Sequence, residues 1–314
     1  MKDFHQYLKK IRKQTRVLLY IFLFFSLLVL VTASIFDIFL RQYIFEEKLN
    51  EFPINISSDL YPVLASKINY PITAKAAVIM DSDSKVVLFS KNPNLLFSMA
   101  STTKIMTALI ALDYYKMGDV LTIRTDNVEG VSVGFQKEQK FFFKDILYAM
   151  LLPSGNDAAL ALAQNYPNGE YAFVEKMNEK ARKLHLDNTN FADTAGLKDR
   201  EDYTTVLDLA KLASYAIQNK TFAEIVATKE VSFSDITGEN NYRVYNLNKL
   251  LGVYGVNGIK TGYTDEAGQV LVTSKMEGDN TIIVVVMGSE DRFSDTEKLL
   301  NLISDNINYL SIHP

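Results

Sequence analysis

Ala100-Ser-Thr-Thr-Lys-Ile-Met-Thr-Ala108 is the stretch from which the rest of this chain can be read. It runs into Ile105 to Met117, an apolar segment with neither Gly nor Pro, and so opens a helix. Residues three apart share a helix face, which brings the Lys104 amine within reach of the Ser101 hydroxyl. At a helix N-terminus, backbone N–H groups and the macrodipole favour developing negative charge. The spacing alone is common. Ser82-Asp-Ser-Lys85 repeats it, but on a polar turn between two apolar runs, where its members are expected to point into solvent. Taken by itself, Ser101 could equally well be a helix cap.

Two later strings change that balance. Ser154-Gly-Asn156 follows the apolar Met150-Leu-Leu-Pro153 and precedes a second apolar run, Asp157 to Gln164. A loop between two buried helices can hold polar groups rigidly at a cleft, although it can also be a plain interhelical turn. Ser304-Asp-Asn306 has a similar spelling but lies after Lys260, in a segment expected to be the closing helix. Lys260-Thr261-Gly262 begins a strand pattern. A lysine there is often a solvated edge residue; here it could anchor a carboxylate, with Thr261 adding a hydroxyl and Gly262 allowing close approach to the backbone. In order, the three strings describe a serine nucleophile, Ser101, a lysine base, Lys104, polar partners Ser154 and Asn156, and an anion site at Lys260 and Thr261.

Composition narrows the chemistry. The 314 residues contain no cysteine and three histidines, His5, His185 and His313. Disulfides, thiolate nucleophiles and cysteine zinc sites are excluded, and a histidine triad or a metal centre is not expected. No cofactor is expected either. From Val17 to Phe36 there are 20 consecutive uncharged residues, about 30 Å of helix and the thickness of a bilayer core. Residues 1–16 carry six basic side chains against one acidic. The positive-inside rule then places 1–16 in the cytoplasm, a transmembrane anchor at 17–40 in the lipid bilayer, and the remainder outside. A cleaved signal peptide, which would release the protein, is the alternative: Val31-Thr32-Ala33 resembles a cleavage site. Subtracting the N-terminal +5 from the whole-chain −4 leaves −9 for the rest, a poor match to nucleic acid.

Beyond the anchor, 41–70 reads as a partly helical juxtamembrane stalk and 71–314 as one catalytic domain. Ala76 to Asp81 and Lys85 to Ser90 read as a hairpin. Ser101 to about Thr228 is mostly helical. Gln269 to Ser274 and Thr281 to Met287 return to strands, and Asp291 to about Leu310 closes as a helix. The fold class expected is α+β: an antiparallel five-stranded sheet built from both ends of the domain, flanked by a helical middle block.

The extended strings Ala100 to Ala108, Leu152 to Ala159 and Lys260 to Gly268, together with Phe191-Ala-Asp-Thr-Ala-Gly-Leu197, resemble the serine D-alanyl-D-alanine carboxypeptidases among the low-molecular-mass penicillin-binding proteins, from about Ala76 onward. There are departures: Met99 stands where proline is common, and Asn257 where aspartate is usual. The family's C-terminal β-rich domain and amphipathic anchor have no counterpart in the 50 or so residues after Lys260. The resemblance implies removal of the terminal D-alanine from peptidoglycan stem peptides through an acyl-Ser101, with proton relay by Ser154, substrate held by Asn156, Lys260, Thr261 and Gly262, and an oxyanion hole formed by the N–H groups of Ser101 and Tyr263. It also implies acylation by β-lactam antibiotics, a bacterial membrane location and an extracellular or periplasmic domain. A class A-like β-lactamase is disfavoured because Asp187 to Gly196 lacks a glutamate. A D,D-endopeptidase and a non-catalytic wall-binding module remain alternatives.

Overall fold

The computed structural model describes residues 25–29, 31–36, 60–65, 71–126 and 128–311. The chain divides into two units, Met1–Asn55 and Ile56–Pro314. In the first, 25–29 and 31–36 are helical. Among the described residues no helix is long and apolar enough to cross a membrane, and the remainder of the apolar run read as an anchor lies outside them.

The described residues of the second unit form thirteen strands: β1 (Leu60–Leu64), β2 (Ala76–Asp81), β3 (Val87–Lys91), β4 (Phe97–Ser98), β5 (Val120–Thr122), β6 (Lys140–Phe142), β7 (Tyr203–Thr204), β8 (Glu230–Ser234), β9 (Asn241–Tyr245), β10 (Val256–Thr264), β11 (Gly268–Glu277), β12 (Asn280–Ser289) and β13 (Ile307–Ser311). Its helices are α1 (Lys104–Tyr114), α2 (Phe143–Leu151), α3 (Asn156–Asn165), α4 (Gly169–Lys183), α5 (Val206–Ile217), α6 (Lys220–Val226) and α7 (Arg292–Ile303).

The main sheet has the order β10-β11-β12-β2-β3, and every neighbouring pair is antiparallel. The five-stranded sheet made from both ends of the domain is therefore present. Its central strands are buried on both faces, with alternate residues serving two cores. Val78 and Met80 of β2, with Ile283 and Val285 of β12, face the helical block. Ala77 and Ile79, with Ile282, Val284 and Val286, face α7. The β-branched run from Thr281 suits such a strand because both faces reward apolar side chains. Gly278, at a φ of 59°, takes the first position of the two-residue β11–β12 turn, where a type II′ hairpin needs positive φ.

Several expectations change. The closing helix stops at Ile303, and Ile307–Ser311 is instead a strand that pairs with Leu60–Leu64, inside the segment read as a partly helical stalk. The other residues of 41–70, apart from Ala65, lie outside the described set. The middle block contains the short pair β5–β6 and strand β7, which pairs with β4 just ahead of the block, and a further hairpin, β8–β9, follows it.

Of the Ser82–Lys85 turn, Asp83 and Lys85 are exposed as expected, but Ser82 turns inward. Ser82 is buried, its hydroxyl sharing a hydrogen bond of 2.9 Å with Ser214 Oγ, and Lys85 Nζ donates to the Ser82 carbonyl and to Ser214 Oγ. The hydroxyl supplied by α5 draws the turn inward, a long-range contact that local polarity does not reveal.

Candidate active site

Ser101 lies in a 3-10 turn, Ala100–Thr103, that leads directly into α1. No side-chain capping bond is made at the start of either element, so Ser101 is not a helix cap. Ala100 sits in the left-handed region at a φ of 46°, a conformation that costs a non-glycine residue on the order of 1–3 kcal/mol. Two glycines hold it there by close approach. A Cβ on Gly196 would lie 1.9 Å from the Ala100 carbonyl oxygen, and one on Gly262 would lie 3.2 Å from Ala100 Cβ and 3.3 Å from Ser101 N. Strand β10 thus runs alongside the backbone N–H of the candidate nucleophile.

Lys104 is fully buried. Its Nζ donates to Ser101 Oγ at 3.0 Å, Asn156 Oδ1 at 2.7 Å and the Ala195 carbonyl at 3.0 Å. All three acceptors are neutral. Desolvation therefore dominates and lowers the amine's pKa from 10.5 to about 7, while Asp193 and Asp157 oppose the shift. An amine poised near neutrality and bonded to a hydroxyl can accept that hydroxyl's proton.

The second string supplies the opposite wall. Asn156 begins α3; besides accepting from Lys104, its Nδ2 donates to the Glu129 carbonyl at 2.7 Å. Asp157 is buried beside it and gathers the preceding loop, accepting from the N–H groups of Val133, Gly134 and Phe135 and from Ser132 Oγ. Ser154 is held in the left-handed region at a φ of 70°. It is buried, and its Oγ has no hydrogen-bond partner. A buried hydroxyl without a partner carries a desolvation cost of about 1–3 kcal/mol, and such sites are often retained for a ligand or a proton.

The third string lies on edge strand β10. Lys260 is buried, contrary to the solvated-edge reading, and its Nζ donates to the Thr261 carbonyl at 3.0 Å. Burial lowers its pKa well below the ordinary value, and the charges of Lys104 and Arg292 push it the same way. Arg292, at the start of α7, donates from Nη1 to the Gly262 carbonyl at 2.8 Å. The site thus collects three basic side chains, two of them buried.

The chain matches, over residues 64–291, the family described as D-alanyl-D-alanine carboxypeptidase. It belongs to that family. Among its relatives is the D-alanyl-D-alanine carboxypeptidase DacF of Bacillus subtilis, 32% identical over 239 residues that make up 73% of this chain and 61% of that protein. A D-alanyl-D-alanine endopeptidase of Pseudomonas aeruginosa is 31% identical, over 78% of this chain and 81% of its own. Among solved structures, the Streptomyces K15 DD-transpeptidase superposes with a TM-score of 0.71 at 31% identity, covering 75% of this chain and 98% of that one. The chain therefore spans less than two thirds of the length of the Bacillus relative.

Within this carboxypeptidase-family domain, hydrogen bonds join Ser101, Lys104 and Asn156 directly. Gly262 abuts Ser101, and the charge of Lys104 is felt at Lys260. Thr261 is buried next to Lys260. Tyr263 turns its side chain outward, its hydroxyl donating to Asp265 at 2.9 Å. Sequence reasoning passed over Arg292, Asp157 and Asp193. For Arg292 there was no local signal, since its place follows from the packing of α7. Asp193 stood in view within Phe191 to Leu197 but carried no assigned role. Among the described residues, no group of three or more His, Cys, Asp or Glu side chains is arranged to hold a metal ion.

Proposed function

We propose that this protein is a membrane-anchored serine D-alanyl-D-alanine carboxypeptidase acting on peptidoglycan stem peptides. The observation that carries the reading is the hydrogen bond from the buried, near-neutral Lys104 amine to Ser101 Oγ. Ser101 attacks the carbonyl of the penultimate D-alanine. Lys104 takes the hydroxyl proton, which requires its neutral form, and Ser154 passes a proton to the departing D-alanine. Asn156 holds the peptide amide. The N–H groups of Ser101 and Tyr263 receive the oxyanion, a contribution worth about 10²- to 10³-fold in rate per donor. Lys260 and Thr261 bind the free terminal carboxylate, whose negative charge favours the protonated form of the Lys260 amine. Water then releases the acyl group from Ser101.

β-Lactam antibiotics acylate the same serine in this reading. The apolar run from Val17 to Phe36 and its basic flank support a membrane anchor that leaves the domain outside the cell. Cell fractionation of the full chain against a form lacking 1–36 tests that part: the full chain is expected in the membrane pellet and the shortened form in the soluble fraction.

The relatives named as endopeptidases favour a second reading, cleavage of D,D cross-links by the same machinery. Incubating the protein with defined monomeric and cross-linked muropeptides, and weighing the products, separates the two. Loss of one alanine from the pentapeptide monomer supports the carboxypeptidase; conversion of dimers to monomers with the monomer untouched replaces it with the endopeptidase. No product from either contradicts both.

A further inference from the structure

Behind Lys104 lies a pair of acids that the proposed chemistry does not use. Asp193 accepts four backbone N–H groups: Ala195 and Gly196 on Oδ1, each at 2.6 Å, and Leu197 and Lys198 on Oδ2, each at 2.9 Å. A carboxylate so wrapped dictates the shape of the turn. The turn is fastened to α1 at two points. Its Ala195 carbonyl accepts from Lys104 Nζ, and its Thr194 carbonyl accepts from Thr107 Oγ1 at 2.7 Å. Gly196 packs on the backbone of Ala100, the residue before Ser101.

Asp202 is completely buried beneath this turn. One of its oxygens accepts from the Ala192 N–H at 2.8 Å. The other meets no N–H or hydroxyl donor, and the side chain lies within hydrogen-bond reach of Asp193. Two carboxyl groups in contact in a dry site cannot both ionise. Asp193 already has its four N–H donors, which favour its charged form, so the proton belongs to Asp202.

We propose that Asp202 is a positioning residue for acylation: its O–H, donated to the Asp193 carboxylate, keeps the 193–198 turn in the shape that offers the Ala195 carbonyl to the Lys104 amine. This rests on the reading of Ser101 and Lys104 as nucleophile and base. Losing that proton sets two negative charges against each other under the turn and withdraws the carbonyl that orients the base. Burial, and then the charge of Asp193, raise the Asp202 pKa to about 8.

The other charged groups on the neighbouring segments are engaged elsewhere. Lys198 Nζ donates to the Ala192 carbonyl at 3.3 Å. Asp199 accepts from Ser98 and Thr264, and Arg200 lies 3.7 Å from Glu266. Asp208 accepts from Asn188 N–H and Lys211. Glu201 takes part through its backbone carbonyl, which accepts from Asn190 Nδ2.

The test is the rate of acylation by fluorescent penicillin against pH in the full chain, for wild type, Asp202→Asn and Asp202→Ala. Wild type is expected to show a rise near pH 7 and a fall near pH 8. Asp202→Asn, which still donates to Asp193 but cannot ionise, loses the fall. Asp202→Ala slows acylation by roughly 10- to 100-fold at neutral pH, and Asn restores most of that loss. An unchanged alkaline fall in Asp202→Asn, or an unimpaired Asp202→Ala, overturns the proposal.

Melting temperature against pH gives a readout independent of catalysis. A carboxyl whose pKa rises on folding, from an ordinary 3.8 to about 8, contributes stability that is complete below the lower value and lost as pH rises through the upper one. Wild type should therefore lose stability relative to Asp202→Asn between those limits, and a constant difference contradicts the shared proton. A folded protein that is never acylated at any pH sinks the functional reading, and with it Asp202's role in acylation; the melting curves still decide where the proton sits.

Discussion

This chain carries the same four-residue pattern twice, and the two copies have different fates. At Ser101–Lys104 the amine donates to the hydroxyl of its own motif. At Ser82–Lys85 the amine donates to the Ser82 carbonyl and to the hydroxyl of Ser214, while the Ser82 hydroxyl is already shared with Ser214. Both lysines have lowered pKa values for the same first reason, burial. Perturbed titration therefore does not distinguish a reactive serine from a structural one. What distinguishes them is whether the hydroxyl is held by the lysine of its own motif and lies beside the edge strand β10. Ser101 has the Gly262 backbone next to it; Ser82 is buried in a turn docked on a helix.

That contrast can be tested by substitutions of decreasing effect. Ser101→Ala should abolish covalent labelling by fluorescent penicillin, a loss of about 10⁴-fold or more, whereas Ser82→Ala labels at the wild-type rate. Lys104→Met should slow acylation by about 10²- to 10⁴-fold, and Lys85→Met should leave it unchanged. In wild type, the acylation rate should climb as pH rises through about 7, because the base must shed its proton; stopped-flow measurements from pH 5.5 to 7.5 would show it. A flat profile across that range would mean that the amine is not the base. Ser214→Ala should act on stability alone. It leaves the Ser82 hydroxyl and the Lys85 amine short of a partner and costs about 1–3 kcal/mol in urea unfolding, with labelling preserved.

The sheet was readable because its signals are local: β-branched runs such as Thr281 to Val286 and a Gly-containing turn at 278. The candidate site was readable for the same reason: Ser101, Lys104, Ser154 and Asn156 sit at junctions between elements that local pattern marks, and Lys260 stands within a strand pattern. What escaped depends on distant partners. Strand β13 exists because Leu60–Leu64 comes back to pair with it, and nothing within Ile307 to Ser311 announces that pairing. The inward Ser82 turn needs Ser214, 132 residues away. Arg292 joins the site through the carbonyl of Gly262, 30 residues earlier, and Asp202 matters through the turn that Asp193 shapes. Side chains that act by holding another segment leave no periodic trace in sequence.

The central claim is that of the two serines followed by a lysine three residues on, only Ser101, whose hydroxyl is held by the lysine of its own motif, is the nucleophile. The most direct measurement is to acylate the intact protein with penicillin, digest it, and locate the adduct by mass spectrometry. The account predicts a single modified peptide carrying the adduct on Ser101. An adduct on Ser82, or on any serine other than Ser101, would contradict it.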